Sequence, residues 1–170
     1  MKKKLIALIS FLCYIICWVQ AADEHYYFKN LSIQDGLSQT TVNAIIQDKK
    51  GFMWFGTKGG LNRYDGMLFR NFKHDMTDNH SLGNNFVTCL YQDNNGNIWV
   101  GTDAGVYIYY SDQEIFIPFD RLSRENTKIE RTVSAISGDK QGRVWIAVET
   151  QGLFCYEPQK DLKALAAAER

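Results

Sequence analysis

The chain has 170 residues, with 19 basic and 19 acidic side chains, and its formal net charge is zero. No basic patch stands out, so the composition does not point to nucleic acid as a partner. Aromatic residues make up 14% of the chain and there are only two prolines, which favours a β-rich globular domain.

Residues 1–21 have the pattern of a secretory signal peptide. Lys2, Lys3 and Lys4 precede an uncharged apolar run at residues 5–19, and we expect cleavage after Ala21. The run is short for a membrane-spanning helix, although an uncleaved anchor is the alternative. We therefore expect residues 22–170 to be exported, with membrane contact only through this segment.

Residues 22–40 are expected to form an N-terminal outer strand and a turn leading into the first repeat. The stretch at 25–31 is rich in Tyr and Phe and resembles the apolar stretch at 68–72. If the repeats described next form a closed ring of small sheets, such a strand completes the last sheet from the other end of the chain.

Three copies of one repeat follow. They begin at Val42, Val87 and Val133, at offsets of 45 and 46 residues. An Asp, a Gly, a Trp, a second Gly and a Tyr recur in register, with one residue inserted before the last Gly of the third copy. These signature residues are Asp48, Gly51, Trp54, Gly60, Tyr64, Asp93, Gly96, Trp99, Gly105, Tyr109, Asp139, Gly142, Trp145, Gly152 and Tyr156.

Each copy predicts short strands joined by turns. An apolar strand precedes the Asp-x-x-Gly turn, a second strand carries the Trp, and a third ends in the Tyr. Four strands in about 45 residues is the size of a β-propeller blade. We predict an all-β, incomplete β-propeller of about three four-stranded antiparallel blades in an open arc, preceded by a signal-peptide helix. The boundaries are 41–86 for blade 1, 87–132 for blade 2, 133–160 for a partial blade 3 and 161–170 for a helical or disordered tail.

The loop at 93–97 has two interpretations. Asp93, Asn95 and Asn97 alternate as calcium ligands do, but the Gly comes fourth, whereas a calcium loop has it sixth. The sister loops carry Lys49-Lys50 and Lys140-Gln141, which do not suit a cation. A β-hairpin explains all three copies, and the three Trp residues are then packing residues between blades.

Single residues outside the signature add little chemistry. His25, His74 and His80 share no metal-ligand spacing. Arg63 could hold an acidic sugar, and the alternative is an ordinary exposed strand arginine. Cys89 and Cys155 fall in different predicted blades, so we expect no disulfide between them.

The repeat D-x-x-G-x-x-W-x-G-T-x-x-G-L-x-x-Y, best seen from Asp48 to Tyr64, resembles the two-component regulator propeller repeat. Residues 34–38, Gln-Asp-Gly-Leu-Ser, also resemble the usual start of such sensors. The third copy departs from the pattern, with Ala147-Val148 in place of Gly-Thr. The resemblance implies the N-terminal part of a hybrid two-component sensor histidine kinase and response regulator.

The resemblance also implies a function. In this family, periplasmic propellers sense glycan breakdown products, the full-length protein is anchored in the inner membrane and dimerises, and a cytoplasmic kinase follows. The expected partners are an oligosaccharide and a second copy of the full-length protein. We expect no enzyme activity, cofactor, metal or catalytic residue in this chain, and the sequence assigns no ligand-contacting residue.

Three alternatives remain at this stage. One is an exported propeller lectin or a fragment of a carbohydrate-active enzyme. Another is a small protein that closes a ring with copies of itself. A third is a scaffold without a ligand. A truncated sensor, whose later blades and kinase are not in this chain, is the preferred interpretation because three blades cannot close a propeller.

Overall fold

The computed structural model describes residues 26–122 and 127–157. The predicted signal-peptide helix, His25 and the predicted tail at 161–170 lie outside them. The chain divides into two units, Met1–Asn30 and Leu31–Arg170. In the first unit, residues 26–30 are exposed and have no regular secondary structure. Among the described residues, no helix is long and apolar enough to span a membrane.

The second unit contains three antiparallel sheets, which we call blades. Blade 1 consists of β1 (Val42–Gln47), β2 (Met53–Thr57), β3 (Gly60–Tyr64) and β4 (Phe69–Phe72). Blade 2 consists of β5 (Val87–Gln92), β6 (Ile98–Thr102), β7 (Gly105–Tyr110) and β8 (Ile115–Pro118). Blade 3 consists of β9 (Val133–Gly138), β10 (Val144–Val148) and β11 (Gly152–Tyr156). Short 3₁₀ turns occupy Ile33–Asp35 and Phe119–Arg121.

The sheets follow one another as the repeats do. In each blade the strands pair in sequence order, so the inner strand is always the one that begins with Val. The inner strands β1, β5 and β9 are neighbours in that order. The prediction of an incomplete all-β propeller of about three blades is confirmed, with four, four and three strands.

The core lies between the blades. One buried cluster joins blade 1 to blade 2 and is built around Trp54, Val87 and Tyr109. A second joins blade 2 to blade 3 around Trp99, Val133 and Ile146. Alternate residues of each strand face opposite sides of the sheet. Blade 2 therefore contributes one face to each cluster.

The outer strand predicted at 25–31 is not formed by the residues that the structure describes. Residues 26–31 belong to no strand, because a strand exists only when a neighbouring strand accepts and donates its backbone hydrogen bonds. The aromatic residues of this stretch favour a strand, but propensity does not supply a neighbour.

Candidate functional site

Each blade ties its turn to its second strand through the signature aspartate. In blade 2, Asp93 Oδ1 accepts hydrogen bonds from the backbone N–H groups of Asn95 and Asn97, both at 2.9 Å. Asp93 Oδ2 accepts one from the indole Nε1 of Trp99 at 3.1 Å. Because one carboxylate bonds both the turn and the indole, Asp and Trp recur together six residues apart.

The same indole-to-carboxylate bond occurs in the other two blades. Trp54 donates to Asp48 at 2.7 Å, and Trp145 donates to Asp139 at 3.0 Å. In blade 3, the indole of Trp145 and then the guanidinium of Arg143 lower the pKa of Asp139 to about 2. The packing role predicted for the Trp residues was therefore incomplete, because each indole is also a hydrogen-bond donor.

The loop at 93–97 is a β-hairpin. Strands β5 and β6 pair antiparallel on either side of it, and the Asp93 N–H donates to the Asn97 carbonyl at 3.0 Å. Asn97 Nδ2 donates to Asp93 Oδ2 at 3.1 Å, so a cation would have to displace these donors. The hairpin prediction is confirmed. Within residues 26–122 and 127–157, no cluster of three or more His, Cys, Asp or Glu could hold a metal ion.

The signature glycines occupy two kinds of turn position. The first follows the aspartate in the turn, with φ of 91°, 89° and 82° at Gly51, Gly96 and Gly142. The second begins the third strand. At Gly105, where φ is 131°, an added Cβ would lie 2.6 Å from the carbonyl oxygen of Ile129. Both kinds of position favour glycine, one through its backbone angle and the other also through space. The other two glycines that begin a third strand are Gly60 and Gly152.

The signature tyrosines pack across the blade boundary. The ring of Tyr109 lies 5.0 Å from that of Trp54 in the preceding blade, and Tyr156 lies 5.3 Å from Trp99. Burial, and then the charge of Glu114, raise the pKa of Tyr109 to about 12. Tyr64 instead contacts Phe69 of its own blade, at 4.7 Å between ring centroids.

The sequence interpretation missed a leucine ahead of the repeat. Leu37 and Leu82 lie five residues before Val42 and Val87, and they are 5% and 0% exposed. Their common distance from the valines was the available signal. Leu37 begins a segment whose next residue, Ser38, bonds Thr57 at 2.9 Å between hydroxyl oxygens. The repeat therefore extends upstream of its first strand.

Arg63 is neither a free sugar-binding arginine nor an ordinary exposed one. Its guanidinium pairs with Glu114 of blade 2 at 2.9 Å and lies over the rings of Phe52 and Trp54. Arg70 contacts the other carboxylate oxygen of Glu114. Its charge is therefore balanced by a contact between blades, and we do not assign it a ligand.

Cys89 and Cys155 are free thiols in different blades. Cys89 lies half-buried on the inner strand β5, and burial raises its pKa. Cys155 is exposed on β11. His74 and His80 lie in the connection between blades 1 and 2. In the part of the chain that the structure describes, none of these side chains belongs to a metal-binding cluster.

A cavity of about 260 Å³ opens where the β6–β7 turn meets the connection from β8 to β9. Its walls include Tyr107 and Phe119, and its polar groups come from Asp120, Lys128 and Glu130. Burial, and then the charge of Asp120, raise the pKa of Tyr107. An aromatic wall with both donors and acceptors can bind a small polar ligand.

Comparison with known proteins identifies the repeat. Residues 36–59 and 81–104 match the family model described as Two component regulator propeller. The chain carries two-component regulator propeller repeats. Each matched segment covers the upstream leucine, the inner strand and the Asp–Trp hairpin of one propeller repeat.

Longer proteins contain similar propeller repeats. Over 77 residues the chain is 38% identical to Histidine kinase P4 of Formosa agariphila, covering 45% of this chain and 5% of that protein. It is also similar to the extracellular domain of BT3049 from B. thetaiotaomicron, described as a hybrid two component system. That match has 26% identity and a TM-score of 0.64, and covers 81% of this chain and 21% of the other. For the corresponding domain of BT4673 the identity is 26%, the TM-score 0.59 and the coverages 77% and 18%. The chain thus spans only a small part of each relative.

Proposed function

We propose that this chain is part of the exported sensor propeller of a hybrid two-component regulator. The main support is the Asp–Trp hairpin, which is repeated in three adjacent blades and lies in two segments that match the two-component regulator propeller. Solved relatives with the same blades are extracellular domains of such systems. We therefore place the chain in the periplasm.

In this proposal, ligand binding and phosphoryl transfer belong to different domains. The propeller blades bind the ligand, and the phosphoryl chemistry belongs to a kinase elsewhere in the full-length protein. We propose that this chain has no enzyme activity, needs no cofactor and does not contact nucleic acid. A homodimer of the full-length protein would transmit the signal. ATP turnover by the purified chain would contradict this division.

The proposed ligand is an oligosaccharide released by glycan breakdown. Sugars present hydroxyl groups and apolar ring faces together, and the cavity beside Tyr107 and Phe119 offers partners for both. Lys128 and Glu130 lie on its rim and are largely exposed. This cavity is the first place to look for the ligand among the described residues.

Two measurements test the proposal. A fusion of the full chain to alkaline phosphatase, which is active only after export, should be active in cells. In the full-length protein, enzymatic digests of individual polysaccharides should change autophosphorylation in membranes. If no digest changes it while the fusion is exported, the glycan ligand is wrong and the location stands.

A matched pair of variants tests the cavity. Lys128→Ala should weaken the response to an active digest by about tenfold, as expected for losing a charged hydrogen bond. Lys140→Ala is the control, because Lys140 lies in the β9–β10 turn at the opposite end of the strands. Equal responses from the two variants would move the ligand site elsewhere.

A further inference from the structure

The two blade boundaries share one close contact, between a valine and a glycine. Val87 begins the inner strand of blade 2 and lies against Gly56, where an added Cβ would be 2.5 Å from Val87 Cγ1. Val133 begins the inner strand of blade 3 and lies against Gly101, where the corresponding distance is 2.9 Å. In both cases the incoming valine occupies space that a side chain would need, and at Gly101 the Cys89 Sγ of the same blade is nearer still, at 2.4 Å.

Hydrogen bonds hold the valine in that position. Asn43 Nδ2 donates to the Val87 carbonyl oxygen at 2.7 Å. Thr88 Oγ1 donates to the Val133 carbonyl oxygen at 2.6 Å. Asn43 and Thr88 are each the second residue of an inner strand. The preceding blade thus binds the incoming valine through both its side chain and its backbone.

The far face of blade 3 differs at both of these points. Ala147 pairs with Ala135 in the same register in which Gly56 pairs with Ala44. Its methyl group therefore lies where an incoming valine would be. Ser134, the second residue of its inner strand, donates to the carbonyl oxygen of Ala147 at 3.2 Å, within its own blade.

We propose that this face accepts a further blade whose inner strand begins with Gly or Ala, and that Ala147 excludes a blade that begins with Val. The three inner strands that the structure describes all begin with Val: Val42, Val87 and Val133. A second copy of the chain, which would present Val42, is therefore excluded. The exclusion follows from packing alone and is independent of what the propeller senses.

A single methyl group is enough for this selection. The valine side chain is branched at Cβ and cannot rotate its methyl groups away without cost. Ala147 lies on β10, which is held between β9 and β11, so its backbone cannot move away locally. Forcing an extra methyl group into such a contact should weaken association by about tenfold or more.

Sedimentation velocity of the full chain at increasing concentration tests the selection. The wild type should not associate head to tail. Ala147→Gly should restore the contact seen at the two internal boundaries and should produce oligomers that grow with concentration, because head-to-tail contacts do not close at two copies. Val42→Ala should do the same from the other side, since it presents the small residue that the face accepts.

Two control variants separate steric fit from general destabilisation. Ala104→Gly makes the same chemical change in the exposed β6–β7 turn of blade 2, away from the far face of blade 3, and should not promote association. Val42→Thr keeps the branched shape and should also leave the chain unassociated. Circular dichroism establishes that each variant is folded.

Three results would overturn the selection by Ala147. One is head-to-tail association of the wild type as strong as that of the two small-residue variants. Another is association of Val42→Thr equal to that of Val42→Ala. The third is that neither Ala147→Gly nor Val42→Ala associates more than Ala104→Gly does, with all variants folded.

Discussion

Blade 2 and blade 3 contain the same Asp–Trp hairpin, yet the two indoles lie in different surroundings. Trp99 is fully buried, because blade 3 covers it with Tyr156 and Val133. Trp145 makes the same bond to its aspartate but remains half-exposed, with Arg143 stacked on its ring at 5.2 Å. The hairpin therefore forms from local sequence, whereas burial of the indole depends on the next blade.

The largest expected difference between the blades is at these two indoles. Trp99→Ala should lower the free energy of unfolding by about 3–5 kcal/mol, because it removes a buried aromatic side chain and leaves a cavity. Trp145→Ala should cost about half of that or less, since part of the ring is already in water. Urea unfolding of both variants measures the difference. Equal losses would mean that the hairpin bond, and not burial, carries the stability.

A second comparison concerns the contact between blades. Gly101→Ala should cost about 1–3 kcal/mol of unfolding free energy, because the new methyl group overlaps Val133 and Cys89. Adding Val133→Ala should recover part of the loss. Ala147→Gly, at the matched position of blade 3, should change stability by about 1 kcal/mol at most. If Val133→Ala deepens the loss instead, the overlap is not the cause.

The aspartates offer a third comparison. Asp93→Ala should cost about 2 kcal/mol, because the indole of Trp99 and two backbone N–H groups lose their acceptor in a buried site. Asp139→Ala should cost less, since water can reach the groups it leaves. Thermal unfolding at neutral pH ranks the two variants. The opposite ranking would contradict the dependence on burial.

The pKa of Asp139 predicts an acid dependence specific to blade 3. Its pKa is lowered from 3.8 to about 2, so its ionised form stabilises the folded state above pH 3.8, and this contribution is lost as the pH falls toward about 2. Asp139→Asn should therefore be less stable than the wild type at neutral pH and should converge with it in acid. Parallel stability curves at all pH values would exclude this linkage.

The smallest expected effect is at the exposed ion pair between blades 1 and 2. Glu114→Gln should cost about 0–1 kcal/mol, because exposed pairs are weak even when two arginines share one carboxylate. Added salt should reduce the difference between variant and wild type. A loss that persists in high salt would mean that the contact is not mainly electrostatic.

Much of the fold could be predicted because the strand and turn pattern of one blade occurs three times in the sequence. One Asp-x-x-Gly turn is ambiguous, but three in register at offsets of 45 and 46 residues define hairpins and blades. The indole-to-carboxylate bond was not predicted, although the constant spacing of Asp and Trp was visible. The role of Arg63 could not be predicted, because its partner Glu114 is 51 residues away.

Short stretches of sequence determine the turns, the strand order and the valine that begins each inner strand. These features depend on backbone preferences and on hydrogen bonds between near neighbours. Sequence alone therefore determines the blades and their kind. The packing of one sheet against the next decides the other features. These are the burial of each indole, the need for a small residue at Gly56 and Gly101, and the ion-pair partner of Arg63. These contacts join residues more than 30 positions apart, and no local pattern encodes their distances. The sequence shows that residue 147 is an alanine, but only the two packed boundaries before it show where its methyl group lies relative to a further blade.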